Sequence, residues 1–378
     1  MWIREEEDVS MHAVFEKKEL SSAVNKVVRG ITNKPVKPIL TGISLDADSK
    51  GFVTLTAMDL EEGVSVICPA KVEKAGKAVL PGKVLANIAR SSKGKDVAIS
   101  VSEDYSASVE AGSSFYRLSA FSPDEFPIFP SLSEDVVYTV DADSLKRAVS
   151  LTHFAVSKDE MRPALTGLLL NIQENDADIV ATDGHRLSVG RLQIKNGSVG
   201  KGKFIIPSRV AVEVARILQG GDVEVVLAEG RVLFRFENVS FFSRLIEGDY
   251  PDYQSLLQEE FISQVSLSRE EFAGLLERVS LVFREEGGIV TLRMEDDSLE
   301  VRGETQEMGE AREKISARIQ GKRIEVAYNA KYLAEAVRVA PWDEIEMGIR
   351  GEVAPTKVFG KDKEFEYILM PLRKEEEV

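Results

Sequence analysis

Three stretches of this chain are written to one pattern. KELSSAVNKVVRG (residues 18–30), DSLKRAVSLTHFAV (143–156) and SREEFAGLLERVS (268–280) repeat one spacing of buried-type residues: Leu20, Ala23, Val24, Val27; Leu145, Ala148, Val149, Thr152; Phe272, Leu275, Leu276, Val279. An i, i+3, i+4, i+7 spacing places one apolar stripe on each of three amphipathic helices. Anchored on Leu20, Leu145 and Phe272, the period is 125 and then 127 residues. A second element recurs in phase: VLPGKVLANIAR from Val79, IIPSRVAVEVAR from Ile205 and AYNAKYLAEAVRV from Ala327. Each reads as a strand, a break at Pro81, Pro207 or Asn329, and a further helix with a Gly, Ser or Asn near its start. A repeat of this length constrains the fold before any motif does, because whatever one third builds, the other thirds build too.

Short alternating runs surround the helices. GFVTLTAMD, DVAISVSED, DVEVVLAEG, RVLFRFEN and EIEMGIRG read as half-buried strands, and KPILTGISLDA and RPALTGLLLNI as one strand in two spellings. The predicted architecture is α+β: three similar domains, each with two helices packed on antiparallel sheet. FPIFPSL (126–132) closes the first, YPDYQSLL (250–257) the second and YILMPLR (367–373) the third. The expected boundaries are 11–138, 139–258 and 259–373, with an extension at 1–10 and an acidic tail at 374–378. MWIREEEDVS is too acidic for a targeting peptide and reads as an extension or an upstream-assigned start.

At 43% hydrophobic residues the chain can bury ordinary cores, and its one cysteine, Cys68, rules out an internal disulfide framework. It has no apolar run of the length a membrane span needs, about 18 residues. A soluble cytoplasmic protein is the expectation.

The net charge of −15, taken alone, argues against nucleic acid, whose phosphates call for a basic surface. The charges are segregated, however. Across helix windows 16–29, 82–95, 143–158, 208–219, 268–279 and 329–340 there are 17 Lys and Arg against 8 Asp and Glu, so the windows carry +9 and the remainder −24. Only the fifth window is negative, at −1. Lys17, Lys26, Arg29, Lys83, Arg90, Lys93, Arg147, Arg209, Arg216 and Lys331 are spread over these helices without interleaved aromatics or zinc spacing. That pattern suits phosphate contact without base readout.

The densest cluster of reactive residue types is ATDGHRL (181–187). Its Ala-x-Asp core echoes Ala57 and Asp59, but the His-Arg-Leu does not recur. One reading is a hydrolase using Asp183 and His185, with Ser188 as nucleophile; yet no nucleophile elbow and no second His lies near. For a metal, His12, His153 and His185 lack ligand spacing and Cys68 stands apart. No GxxxxGK phosphate loop occurs, so nucleotide hydrolysis is not expected, and neither is any catalytic residue, cofactor or metal. A structural repeat protein that does not touch DNA is the other alternative.

The triplicated pattern, KPILTGISL, ATDGHRL, YPDY (250–253) and the terminal YILMPLR together resemble the beta subunit of bacterial DNA polymerase III, the sliding clamps, over residues 11–373. The resemblance implies a DNA clamp fold that forms rings: a head-to-tail homodimer closed around double-stranded DNA, held without regard to sequence. It implies a processivity factor of a DNA-directed DNA polymerase, not an enzyme. By the resemblance, Lys34 joins the DNA-facing residues, and Leu281 and Val282 lie at the dimer interface. It also implies a pocket for short peptides of the replicative polymerase, clamp loader and repair proteins, made from Leu165, Thr182, Gly184, His185, Arg186, Leu187, Pro251, Leu256, Ile368, Met370, Pro371, Leu372 and Arg373. Leu187, Leu256, Ile368 and Met370 would form its apolar floor, with polar groups at the rim. The chain departs from the family in three places: it continues beyond Arg373 as Lys374 to Val378, it has Ser255 where a basic residue is common, and its third repeat is rich in glutamate (Glu304, Glu307, Glu310, Glu313).

Overall fold

The apolar stripes of the sequence are the buried faces of real helices. In the computed structural model, six α-helices occur among the described residues: α1 (Lys17–Val27), α2 (Gly82–Ser91), α3 (Ala142–Thr152), α4 (Ser208–Ile217), α5 (Arg269–Val279) and α6 (Ala330–Val339). The structure describes all residues except 1–8, 32–34, 133–136, 175, 198–200, 259, 284–287, 306 and 374–378. Every stripe residue of the first, third and fifth helices is buried. The Asp141, Ser268 and Asn329 side chains accept the third backbone N–H beyond them and so start α3, α5 and α6; α1 and α2 begin without a side-chain cap. The observed helices are shorter than the sequence windows and carry 13 Lys and Arg against 7 Asp and Glu. They are therefore net +6, and part of the expected +9 sits in the turns that follow them.

The two spellings KPILTG and RPALTG prove to be a turn before a strand. Pro38–Thr41 and Pro163–Thr166 are 3-10 turns in which the Thr41 and Thr166 hydroxyls donate to the Pro38 and Pro163 carbonyls at 2.7 and 2.8 Å. Proline has the φ that such a turn requires and no N–H to leave unpaired, so the strand begins only at the glycine. Strands Gly42–Ala47 and Gly167–Ile172 then pair with Gly76–Pro81 and Gly202–Pro207. A Cβ at Gly42 would lie 2.4 Å from Val79 Cγ1, and one at Gly167 lies 2.6 Å from Ile205 Cγ2, so both repeats use glycine for the same close approach.

The described residues form two units where the sequence suggests three domains. One comprises Met1–Val140, Asn196–Ser198 and Arg216–Leu245; the other comprises Asp141–Lys195, Val199–Ala215 and Ile246–Val378. Sheet pairing is the reason the central third divides. In the first unit, strand Val239–Arg244 pairs antiparallel with Glu62–Pro69 of the first repeat, with Phe242 opposite Gly63. That ladder carries on through Arg231–Phe236 to Asp222–Ala228 on one side and through Phe52–Met58, Gly42–Ala47 and Gly76–Pro81 on the other. The unit's other sheet runs Lys71–Lys74, Val9–Glu16, Asp96–Ser102, Ser106–Ala111, Ser114–Ser119, its first long strand starting two residues ahead of Met11.

In the second unit the same device recurs. Strand Phe365–Leu369 of the third repeat pairs with Arg186–Gly197 of the second, Ile368 opposite Leu187. A four-stranded sheet ordered Gly309–Ser316, Ser298–Thr305, Ile289–Met294, Glu325–Asn329 lies in this unit, with α5 packed on α6 over a core that includes Phe272, Leu275, Leu333 and Tyr328.

The glycine approach makes the first prediction. Gly167→Ala should lower the unfolding free energy by about 1–3 kcal/mol, because the added methyl meets Ile205 and the Ile206 carbonyl in a packed sheet. Urea unfolding checks it, and a stability equal to the parent would show that the sheet yields there.

Candidate functional site

ATDGHRL is a hairpin turn, and its aspartate is a structural cap. Asp183 Oδ1 accepts the backbone N–H of His185 at 2.9 Å and of Arg186 at 3.1 Å. The echo in the first repeat does the same: Asp59 Oδ1 accepts the N–H of Glu61 and of Glu62 at 2.8 and 2.9 Å. The shared Ala-x-Asp core therefore builds one turn twice, as aspartates bonding to backbone two and three residues on do. The Thr182 hydroxyl adds a 2.6 Å bond to the Arg186 carbonyl, and Gly184 takes φ +94°, which an L side chain rarely adopts.

Asp183, His185 and Ser188 do not converge as a hydrolase would need. The Ser188 hydroxyl is fully buried and donates to the Leu151 carbonyl at 2.6 Å, Asp183 is occupied by the turn and by Arg186, and His185 is exposed. Among the described residues, no group of three His, Cys, Asp or Glu could hold a metal ion.

Arg186 departs from its expected place at the rim of a pocket. Its guanidinium is buried: Nε donates to Asp183 Oδ2 at 3.0 Å, Nη2 to the Phe154 carbonyl at 2.7 Å, and Nη1 to Glu335 of α6. It lies 4.0 Å from the centre of the Tyr332 ring and 5.5 Å from that of Phe154. Burial works against the charge, but Tyr367, Glu335 and Asp183 around it hold the guanidinium charged, above its ordinary range. Five donors in a planar fork suit this three-partner cage, which fastens the turn to α6 from behind.

Of the other expected pocket residues, Leu187, Ile368 and Leu256 share one apolar cluster. Leu187 and Ile368 are cross-strand partners at its centre, buried with Leu169, Val180, Val189, Ile205 and Tyr253. Half-buried Ala164, Ile246, Tyr250, Leu256 and Leu257 pack against them, and Met370 is 37% exposed. The chain end is fixed by two backbone bonds, Met370 N–H to the His185 carbonyl at 2.9 Å and Leu372 N–H to the Ala327 carbonyl at 2.8 Å. Leu165 and Thr182 are buried, Pro371 and Leu372 half-buried, and Gly184, Pro251, Ser255 and Arg373 exposed. The tail at 374–378 lies outside the described residues.

Sequence reasoning missed the supports of this patch. The Tyr253 hydroxyl donates to Asp178 at 2.6 Å and accepts from Asn171 Nδ2 at 2.6 Å. Burial lifts the Asp178 carboxyl above the usual carboxylate range despite that bond. Lys357, 1% exposed, pairs with Glu366 at 2.5 Å, and Glu366 with Arg191 at 2.7 Å. The one available signal was a lysine in a run, TKVF, whose two faces are otherwise apolar or small.

The basic residues divide. Lys83, Arg90, Lys93, Arg209 and Arg216 are exposed, Lys331 and Arg29 partly so. Lys26 is not presented as expected: its amine is buried and paired with Glu237 at 3.3 Å, because its place on α1 falls within the buried face. Lys17 donates to the Ser92 carbonyl, and Arg147 is exposed but paired with Glu364 at 2.9 Å. Lys34 lies outside the described residues. On the acidic α5, Arg278 is held by Glu313. Leu281 is 76% exposed on the turn Ser280–Val282 after α5, and Val282 is half-buried.

Arg186→Met should destabilise the second unit by about 3 kcal/mol, because it leaves Asp183 buried and Glu335 partly buried without their cation. Arg186→Lys should recover little, lacking the fork and the stacked plane. Urea unfolding of both variants checks this; a full recovery by lysine would reduce the cage to a point charge.

Comparison with known proteins covers nearly the whole chain. Family models of the DNA polymerase III beta subunit match in three consecutive stretches: N-terminal domain at 11–130, central domain at 139–252 and C-terminal domain at 254–373. The beta sliding clamp of Staphylococcus aureus is 33% identical over 363 residues, covering 93% of this chain and 96% of the relative. A DNA polymerase sliding clamp from Bacillus subtilis superposes with TM-score 0.93 at 28% identity, covering 97% of this chain and all of that one. A sliding clamp from Bartonella birtlesii, solved bound to griselimycin, gives TM-score 0.89 at 26% identity over 96% of this chain and all of that one.

Proposed function

The chain belongs to the DNA polymerase III beta subunit family, the sliding clamps, and we propose that two copies close head to tail into a ring that travels on double-stranded DNA. It is a non-catalytic processivity factor. The observation that carries the ring is the pair of sheet edges left over by the repeat. Each successive repeat is joined by an antiparallel ladder, Glu62–Pro69 to Val239–Arg244 and Arg186–Gly197 to Phe365–Leu369. By repeat position, the strands that would make the next such joint are Gly309–Ser316 in the third repeat and Ser114–Ser119 in the first. Both are terminal strands of their sheets. They differ from each other, so a second copy satisfies them head to tail, a heterologous contact that makes a ring when its rotation closes. Exposed Leu281 sits on the turn that packs against strand Gly309–Ser316, at that edge.

The exposed basic residues of the helices supply sequence-independent contact with phosphates, and closure of the ring retains the DNA. We take the domains as 11–138, 139–258 and 259–373. The apolar patch around Leu187, Ile368, Leu256 and Met370 is the seat for short peptides of the polymerase, clamp loader and repair proteins, and for griselimycin, the ligand of the B. birtlesii clamp. A few half-exposed apolar anchors beside fixed backbone groups suit an extended peptide. The protein works in the cytoplasm; among its described residues no helix is long and apolar enough to cross a membrane.

On nicked circular duplex the protein, loaded by its clamp loader, should cosediment with DNA and be lost when the circle is linearised. Replacing Lys83, Arg90 and Arg209 with Gln should lower the slope of log affinity against log salt by about 0.9 for each lost phosphate contact. Lys26→Gln should leave that slope unchanged, since its amine already faces Glu237. Equal retention on linear DNA would overturn the ring.

Leu281→Asp with Val282→Asp should yield monomers in sedimentation velocity, because an unpaired charge buried at an interface costs several kcal/mol. A dimer that survives places the interface elsewhere.

A further inference from the structure

The repeat supplies an internal control for the peptide seat. YPDYQSL (250–256) and FPIFPSL (126–132) occupy the same place after the last strand pairings of their repeats. Their settings correspond bond for bond: Ile246 N–H donates to Ile205 and Phe121 N–H to Val79, both at 2.8 Å, while Met370 N–H donates to His185 at 2.9 Å and Arg244 N–H to Glu61 at 2.8 Å. Yet only one of the two segments leaves its leucine available. Leu132 is 4% exposed, packed with Met58, Val226, Leu233 and Phe242; Leu256 is only half-buried.

Sheet register identifies what differs beneath them. Leu233 pairs with Phe242, and in the later repeat Lys357 pairs with Ile368. Two positions beyond Val226, the partner of Leu233, Ala228 ends its strand just before the turn; Lys357 pairs with Gly348, so the counterpart of Ala228 by the same register is Arg350. Thus two apolar residues under the first segment are replaced by two cations under the second. These cations reach the segment's backbone: Lys357 Nζ donates to the Leu257 carbonyl at 3.1 Å, and Arg350 Nη2 to the Leu256 carbonyl at 2.8 Å and to that of Gln258. Glu366 lies 2.5 Å from the lysine amine and holds it in place.

We propose that Lys357 and Arg350 are positioning residues for the peptide seat: by holding the carbonyls of Leu256, Leu257 and Gln258, they keep this segment from collapsing onto the sheet as its counterpart at 126–132 does. The proposal rests on the reading of the patch as a peptide seat. A buried ion pair is a poor source of stability, since apolar residues of similar volume commonly do as well or better. Its survival here is explained by the backbone it holds, and preorganised support of this kind sets the geometry of a binding surface.

The test uses the full-length dimer and fluorescently labelled griselimycin, read by anisotropy, with thermal unfolding and sedimentation alongside. Lys357→Leu installs the leucine found under the first segment, and Glu366→Gln removes the charge it would strand; together they should weaken griselimycin roughly tenfold while the melting temperature holds or rises. Arg350→Ala should weaken it in the same sense, and Arg350→Lys should restore part of the loss. Unchanged affinity in the double variant and in Arg350→Ala would overturn the proposal, as would a loss of affinity that tracks a loss of stability. Should the double variant fail to fold, the two Arg350 variants decide. Met370→Ala separates the two claims: if it weakens griselimycin and the support variants do not, the seat stands and the positioning role fails; if it too has no effect, both fail.

Discussion

Everything in this molecule hangs on backbone ladders that run across repeat boundaries. A strand edge is a row of unpaired donors and acceptors that must be satisfied, covered or blunted. Here two such edges are satisfied by the next repeat, with Phe242 opposite Gly63 and Ile368 opposite Leu187. The same constraint explains why residues group into two units and not three: the strands of the central repeat are hydrogen-bonded to the first repeat on one side and to the third on the other. It also leaves two terminal strands whose simplest partner is another copy of the chain.

A joint between repeats is a natural place for a second use, since two chain segments and a connector meet there. At the first joint this possibility is closed. Gly63 makes room for the Phe242 ring, Phe129 meets that ring edge-on at 5.1 Å, and Arg244 pairs with Glu61 at 3.5 Å over the turn. At the second, leucine and isoleucine face each other, His185 and Met370 stand where the ion pair stood, and the connector is tied by its carbonyls. One repeated scaffold thus provides a filled joint and the half-open apolar patch proposed as a peptide seat by changing a handful of side chains at fixed register.

Charge follows a similar division of labour. The chain is acidic overall, while the six helices among its described residues carry a small excess of positive charge, and the lysine and arginine residues inside folded elements serve two ends. Lys83, Arg90 and Arg209 are presented outward; Lys26, Arg186 and Lys357 are buried, pair with carboxylates and hold one chain segment to another. Residue type alone does not separate these groups, because a long cationic side chain serves a surface or a buried pair equally well.

Periodicity was enough to determine the helices and their buried faces, the threefold repeat and most strands. Those features depend on spacing along the chain, which the sequence displays directly: Leu20, Leu145 and Phe272 had to face inward once they opened matching stripes. The family was legible for the same reason, since ATDGHRL and YILMPLR lie at fixed distances within that repeat. What the sequence could not determine was the direction in which a polar side chain points after the fold brings distant segments together. Arg186 reads as a pocket rim until Glu335 and Tyr332, far along the chain, are seen to enclose it. Lys26 reads as a DNA contact until Glu237 is found beside it. Lys357 attracts no notice until the Leu257 carbonyl, 100 residues away, lies at its amine. Each depends on a long-range partner supplied by strand register, and register is a property of the folded sheet that no local spacing encodes.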